Sequence, residues 1–249
     1  MRLLIITQVL DRTDAVLGFF HTWCEEFSRH VESLVVVAQR VGENSLPANV
    51  EVVSLGKEQG AGKLAMLGRL TACLATAFGK SRPDAVWAHM VPKFVLYAAP
   101  VCKPRRIPLY LWYTHKGVDR SLRMAVPLVR RVFTASEESF RYEAGRHKRL
   151  VTGHGIDCTH FRPGPEHRPV DVLAVGRLAP SKGQNELLEA LSLLPECPVT
   201  EIAGDVLLES DEPFRDALHA RVAGLGGPIS FLGAVSYVEV AGVMQRAKV

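Results

Sequence analysis

The sequence predicts an α/β protein of two doubly wound units, the second incomplete. Three observations carry this. Short β-branched runs alternate with longer amphipathic stretches, the alternation restarts after a proline-rich segment, and the charge balance changes sign across that segment. A repeated strand–helix order calls for parallel strands joined by crossover helices.

The elements follow in order. Residues 3–6 form a buried strand, 18–30 a helix, 34–38 and 50–55 strands. A helix over 61–78 carries Leu64, Leu67, Leu70, Leu74 and Phe78 at spacings of three and four, the mark of one buried face. Strand 85–88, helix 94–101 and strand 109–112 come next. A helix over 119–131 contains Pro127, which must kink it or begin a new turn. After strand 132–134, Ser136 is placed to cap a further helix, with Glu137 and Glu138 in its first turn. Residues 161–169 hold Pro163, Gly164, Pro165 and Pro169 and read as a linker, giving units over 1–162 and 163–249. In the second unit the strands are 170–175, 199–203 and 229–232. The helices open at Ser181 or Lys182, at Asp211 and at Ser236. Three strands leave a long open edge, so the sequence predicts either a fragment or an edge covered by a partner.

Composition narrows the function classes. The chain has 249 residues, 47% hydrophobic and 22% charged, the balance of a globular protein. No apolar run reaches the roughly 18 residues that span a bilayer. The net charge of +4 divides unevenly: 22 Lys/Arg against 13 Asp/Glu over 1–150, and 8 against 13 beyond. The basic half can face phosphate, anionic lipid or an acidic substrate, or carry ordinary surface charge. Five cysteines without zinc-ligand or CxxC spacing suggest a reducing cytoplasm and neither structural disulfides nor a bound metal. A nicotinamide oxidoreductase is disfavoured, because no GxGxxG follows either first strand. A nucleic-acid partner is disfavoured by the acidic second half and the lack of aromatic platforms beside a basic stripe.

The strongest local signal is the run from Val172 to Gly183, a buried strand ending at Gly176 followed by Arg177 and Lys182. Ligands of open α/β sheets collect beyond the strand C-termini, and a helix N-terminus favours anions. A guanidinium and an ammonium there can clamp a diphosphate, or they can be solvated surface cations.

The ordered set Gly-His-Gly-Ile-Asp-Cys-Thr-His-Phe-Arg-Pro at 153–163, Val-Gly-Arg-Leu at 175–178, Ser-Lys-Gly at 181–183, Leu-Leu-Glu-Ala-Leu at 187–191 and Phe-Leu-Gly at 231–233 resembles family 4 glycosyltransferases. The resemblance covers most of the chain and is closest from 150 onward. It implies two Rossmann-like units of GT-B type, an acceptor domain followed by a donor domain. It also implies transfer from a nucleotide-diphosphate sugar to a glycan, lipid-linked or small-molecule acceptor, with retention and without an obligatory metal or cofactor. Arg177 and Lys182 match the family's pair on the donor diphosphate, and Gly176 lets the backbone approach the ligand. His115 matches a histidine that faces the donor sugar, where it hydrogen-bonds a hydroxyl or handles a proton.

The first unit departs from the family's glycine-rich loop. Only Gly18 remains, either offering its N–H to a phosphate or simply starting a helix. His89, at a strand end, is a candidate sugar contact, and Asp119 either binds acceptor hydroxyls or caps a helix. His154 and Asp157 are expected to shape the turn between units. Lys103, Arg105, Arg106, Arg120, Arg123, Arg130 and Arg131 flank apolar residues 107–112. They suggest a peripheral membrane contact, though solvated flanks of a core strand account for them better. The family's paired glutamates lie further along than residue 249. That predicts an incomplete donor pocket, and leaves open a non-catalytic diphosphate-binding module or pseudoenzyme.

Overall fold

The computed structural model describes residues 1–80 and 82–249, with side chains for all of these except 78–80. The chain divides into two compact units, Met1–Ile156 and Asp157–Val249, the division falling ahead of the proline-rich segment.

In the first unit, β1 (Arg2–Leu10), α1 (Phe19–His30), β2 (Ser33–Val41), β3 (Val50–Ser54), α2 (Lys63–Lys80), β4 (Ala85–His89), α3 (Pro92–Cys102), β5 (Leu109–Trp112), α4 (Arg120–Ala125), β6 (Arg131–Thr134) and β7 (Arg149–Val151) follow one another. The seven strands pair in the order β3-β2-β1-β4-β5-β6-β7, every pairing parallel. Strand side chains alternate between faces. Leu4, Ile6, Val86, Leu109 and Leu111 therefore pack with α2, α3 and α4. Leu3, Ile5, Leu34, Val36, Trp87 and Trp112 pack with Phe20 and Cys24 of α1.

Several expectations are refined. In α2, Leu70 and Leu74 are buried but Leu64 stands in solvent, and the side chain of Phe78 lies outside the described residues. Pro127 starts a new turn: α4 stops at Ala125 and a 3-10 turn, Val126–Leu128, takes over. The helix expected after Ser136 does not form. Ser136 holds only one turn, through the N–H of Ser139, after which Phe140 is drawn into the core and a 3-10 segment runs over Glu143–Lys148. Strand β7, unforeseen, is a three-residue edge strand whose Leu150 and Val151 are exposed.

The second unit comprises β8 (Val172–Val175), α5 (Gln184–Ser192), β9 (Thr200–Ala203), α6 (Glu212–Leu225), β10 (Ile229–Gly233) and α7 (Tyr237–Gln245). Its sheet is parallel in the order β10-β9-β8. Leu178, Leu188, Leu191, Ile202 and Leu218 form its core beneath α5 and α6. The helix expected to open at Ser236 does so, and a capping box holds its start: the N–H and hydroxyl of Ser236 both donate to Glu239 Oε2, the hydroxyl at 2.5 Å. The outer edge of β8 is partly occupied by the chain itself. The N–H of Lys248 donates to Val170 O at 2.9 Å, and that of Leu173 to Val249 O at 2.8 Å.

Candidate functional site

In the second unit all three strands reach a glycine at their C-terminal ends: Gly176 after β8, Gly204 after β9 and Gly233 closing β10, each with positive φ. The N–H of Gly176 donates to Ala203 O at 2.9 Å and that of Gly204 to Gly233 O at 2.7 Å, so the ladder continues through these residues. Gly204 is forced by contact: a Cβ on it would lie 2.0 Å from the carbonyl oxygen of Gly176. The mouth of this sheet is therefore backbone alone.

Arg177 and Lys182 lie on the segment that leads from the end of β8 to α5, both exposed. Arg177 follows Gly176, and Lys182 ends a 3-10 turn, Pro180–Lys182, that leads through Gly183 into α5. Among the described residues no ion pair engages either side chain. Gln184 holds the loop: it is buried, and its Nε2 donates to the carbonyl of Arg177 at 2.9 Å. Its Oε1 is covered and unbonded. No side chain caps the first turn of α5. Unspent N–H groups and two cations at a strand C-terminus give local positive potential suited to an anion.

The remaining candidates belong to the first unit. His115 is exposed in the segment between β5 and α4. Its own N–H donates to Ser139 O, and its Nδ1 accepts the N–H of Gly117 at 2.9 Å. An Nδ1 that accepts leaves the proton of neutral imidazole on Nε2. His115 is thereby set to donate a hydrogen bond outward through Nε2–H; a second proton could be taken only at Nδ1, at the expense of the Gly117 bond. Asp119 caps α4, accepting from Leu122 N at 2.7 Å and from Ser121 Oγ, and these bonds hold its carboxyl below the usual range.

Gly18 is corrected. It is buried, its φ is −56°, and its N–H donates to Asp14 O at 3.0 Å, so that donor is not offered to a phosphate. Asp14 fills this loop, accepting from the N–H groups of Val16 and Leu17 and pairing with Arg40. A carboxylate thus occupies the loop that the sequence reading offered to a phosphate. His89 is buried, with Nδ1 3.0 Å from Thr7 Oγ1. Burial holds its imidazole down to about 3, so it is neutral at physiological pH.

His154 joins an aromatic group in this unit. Its ring lies 5.2, 5.0 and 5.9 Å from those of Phe19, Trp23 and Trp112. Trp23 Nε1 donates to Gly155 O at 3.2 Å and anchors the segment. Among the described residues no group of three or more His, Cys, Asp or Glu is arranged to hold a metal ion.

The architecture is shared with solved structures. Anabaena HepE in complex with UDP and glucose superposes at TM-score 0.71 and 19% identity, over 99% of this chain and 72% of that one. The fold is GT-B. A glycosyltransferase from Rickettsia africae matches at TM-score 0.67 and 14% identity, over 98% of this chain and 71% of the other. The GT-B likeness extends to a UDP-GlcNAc 2-epimerase from Methanocaldococcus jannaschii, at TM-score 0.58 and 12% identity over 100% and 77% of the two chains. No protein-family model matches the sequence, and no curated protein matches it.

Two features escaped the sequence reading. Gly204 closes an apolar strand as Gly176 does, and that recurrence was the available signal. Gln184 had none, because its role depends on the carbonyl of Arg177 lying beneath it.

Proposed function

We propose that this protein is a retaining glycosyltransferase of family 4 that moves a sugar from a nucleoside diphosphate donor to an acceptor hydroxyl. The observation that carries it is the placement of Arg177 and Lys182 beside a side-chain-free strand mouth and the uncapped start of α5. The diphosphate is the leaving group, and its charge grows as the glycosidic bond breaks. Arg177 supplies a bidentate fork and Lys182 a point charge where that charge develops. They take the place that a divalent ion fills in other transferases, so turnover is expected to survive a chelator. His115 donates through Nε2–H to a hydroxyl of the donor sugar.

The fold's relatives support a uridine nucleotide, since HepE is solved with UDP and with UDP-glucose. The acceptor is a glycan or a lipid-linked saccharide. The basic surface supports a lipid-linked one: between 85 and 136 the chain has nine Lys/Arg and a single carboxylate, Asp119. Lys93, Lys103, Arg106, Arg120, Arg123 and Arg130 are all exposed there, with Tyr97 and Met124 among them. Such a surface rests on anionic lipid at the cytoplasmic face of a membrane. No helix among the described residues is long and apolar enough to cross one.

Calorimetric titration with UDP, GDP and ADP tests the donor site. At least one is expected to bind, and Arg177→Ala to weaken it about 10- to 100-fold, the loss of a charge-assisted pair. Incubation with the matching nucleotide sugar and an acceptor is then expected to release the free nucleoside diphosphate and form a product of retained anomeric configuration. Failure of all three nucleotides to bind, or equal binding by Arg177→Ala, overturns the reading. So does release of a 2-epimerised sugar in place of transfer.

A further inference from the structure

We infer that the aromatic cluster at the end of β1, β4 and β5 is the acceptor subsite, and that the acceptor presents an uncharged pyranose ring to it. This rests on the transfer reading above and names the acceptor's chemistry.

The place is set by topology. The chain lays β2 and β3 to one side of β1 and β4 to β7 on the other, so the order reverses between β1 and β4. In open α/β sheets the crevice outside the strand C-termini at such a reversal receives the ligand. Thr7 of β1 and His89, the last residue of β4, bridge this crevice through their 3.0 Å contact. Trp112, the last residue of β5, is the register partner of His89. The His89 ring stacks on Phe20 at 4.0 Å and 12°. Trp23 meets Trp112 edge-on at 5.1 Å. Phe19 and Trp23 are half-buried and His154 is exposed, so the cluster reaches solvent on that side.

Two polar atoms in this cluster have no partner. Among the described residues three buried side-chain nitrogens or oxygens are unbonded, and two of them are His89 Nε2 and Trp112 Nε1. Buried indole N–H groups ordinarily find an acceptor, and leaving one unmet costs about 1–3 kcal/mol. Two such deficits on neighbouring strand ends mark a place where a guest supplies what the protein lacks.

The backbone there is also strained. Met90, directly after His89, has φ 62°, a left-handed conformation unusual for a side chain of its size. It is held by its N–H to Trp112 O at 2.8 Å and by the N–H of Val91 to His89 O at 2.8 Å. Strain of this kind persists where the surroundings fix a functional geometry.

The chemistry selects the guest. Phe19, Trp23, His89 and Trp112 are uncharged at neutral pH, so a phosphate finds no counter-charge on them, and an ammonium, which ring faces can attract, offers no acceptor to the Trp112 N–H. A pyranose offers a C–H face to aromatic rings and hydroxyls to the nitrogens. A hydroxyl donates and accepts at once, so it takes the Trp112 N–H and serves either tautomer of His89. His154, the exposed member, is the cover that the entering ring displaces.

The protein has three tryptophans, and all lie in this cluster, Trp87 being 6.4 Å from Trp112. Their indole N–H signals in a nitrogen-15 correlation spectrum therefore report on the site alone. The whole chain is titrated, without nucleotide, with the methyl glycosides of glucose, galactose, mannose and N-acetylglucosamine, with maltose and with choline chloride. At least one sugar is expected to shift the Trp112 signal saturably, that signal being assigned by its loss in Trp112→Phe. Trp112→Phe, which keeps the ring and removes the N–H, is expected to bind that sugar about tenfold more weakly. Saturation transfer from aromatic protons to the sugar's ring C–H groups, read on the unsubstituted protein, is the second expected result and needs no variant. The inference is overturned if no sugar shifts the indole signals, if only choline does, or if Trp112→Phe folds and binds as well as its parent. UDP binding is read separately by calorimetry. A chain that binds UDP through Arg177 and ignores every sugar refutes this subsite and leaves the donor reading intact.

Discussion

Replacing Gly204 with alanine probes the backbone contact at the mouth of the second sheet. The new methyl carbon would lie 2.0 Å from the carbonyl oxygen of Gly176, 2.7 Å from its carbon and 3.3 Å from the nitrogen of Arg177. All three are main-chain atoms within the β8–β9 ladder, so no flexible side chain can yield. Relief requires the end of β8 to move by about 1 Å or more, to ordinary contact distance. The backbone at φ 139° adds its own strain for any residue with a Cβ. Overpacking and a disfavoured φ together cost about 2–4 kcal/mol. For a unit of this size that lowers its melting temperature on the order of 10–25 °C. Gly224 is the internal control. It lies in α6 with open space around its Cβ position, and alanine there is expected to stabilise by about 0.5–1 kcal/mol. Scanning calorimetry of both variants reads the contrast, and UDP titration of Gly204→Ala should show at least a tenfold loss because Gly176 and Arg177 are displaced together. A Gly204→Ala protein that melts with its parent and binds UDP equally well would show that the strand ends do not meet as described.

Two further outcomes are expected. Burial holds His89 at about 3 against an ordinary 6.5, so between those values the unfolded chain binds a proton that the folded chain refuses. Stability is therefore full above pH 6.5 and falls with acidification through that window, by up to about 1.4 kcal/mol per pH unit from this group. His21, buried and likewise lowered, acts in the same direction. Urea unfolding at pH 7, 6 and 5 should show the decline, and His89→Asn should flatten it; an unchanged slope in the variant contradicts the assignment. Lys148 Nζ donates to the carbonyls of Val126, Pro127 and Val129 at 2.8 to 3.0 Å, closing the end of the α4 region. Lys148→Met leaves those oxygens short of a donor and is expected to cost about 1–3 kcal/mol by chemical denaturation, with no change in UDP affinity.

The parallel strands were legible because most are short apolar runs, those at the centre of the first sheet, β1 and β4, being buried on both faces, and Pro127 announced its own break. Residues 149–151 were not legible as a strand. Arg149, Leu150 and Val151 sit on the sheet's edge, where pairing rather than burial defines the element. Ser136 carries a sound capping signal, but the pull of Phe140 into the core overrides it after one turn. At the site, Arg177 and Lys182 were visible as a local motif, since they stand five positions apart. Gly18 misled, because whether a helix-start N–H is free depends on a carbonyl, that of Asp14, whose direction no motif encodes. The pairing of His89 with Trp112 was invisible for a different reason. Strand register brings them together, and nothing in either residue's neighbourhood along the chain states that register.

Three bare α-carbons, at 176, 204 and 233, leave nothing at that rim for substitution to lengthen, shorten or recharge. On the donor reading proposed above, the side chains that would tell one nucleotide or sugar from another lie off the rim, on flanking segments such as 205–211 and 234–236 and on His115. Tests of donor choice on that reading should randomise those stretches and treat the rim itself as fixed scaffolding.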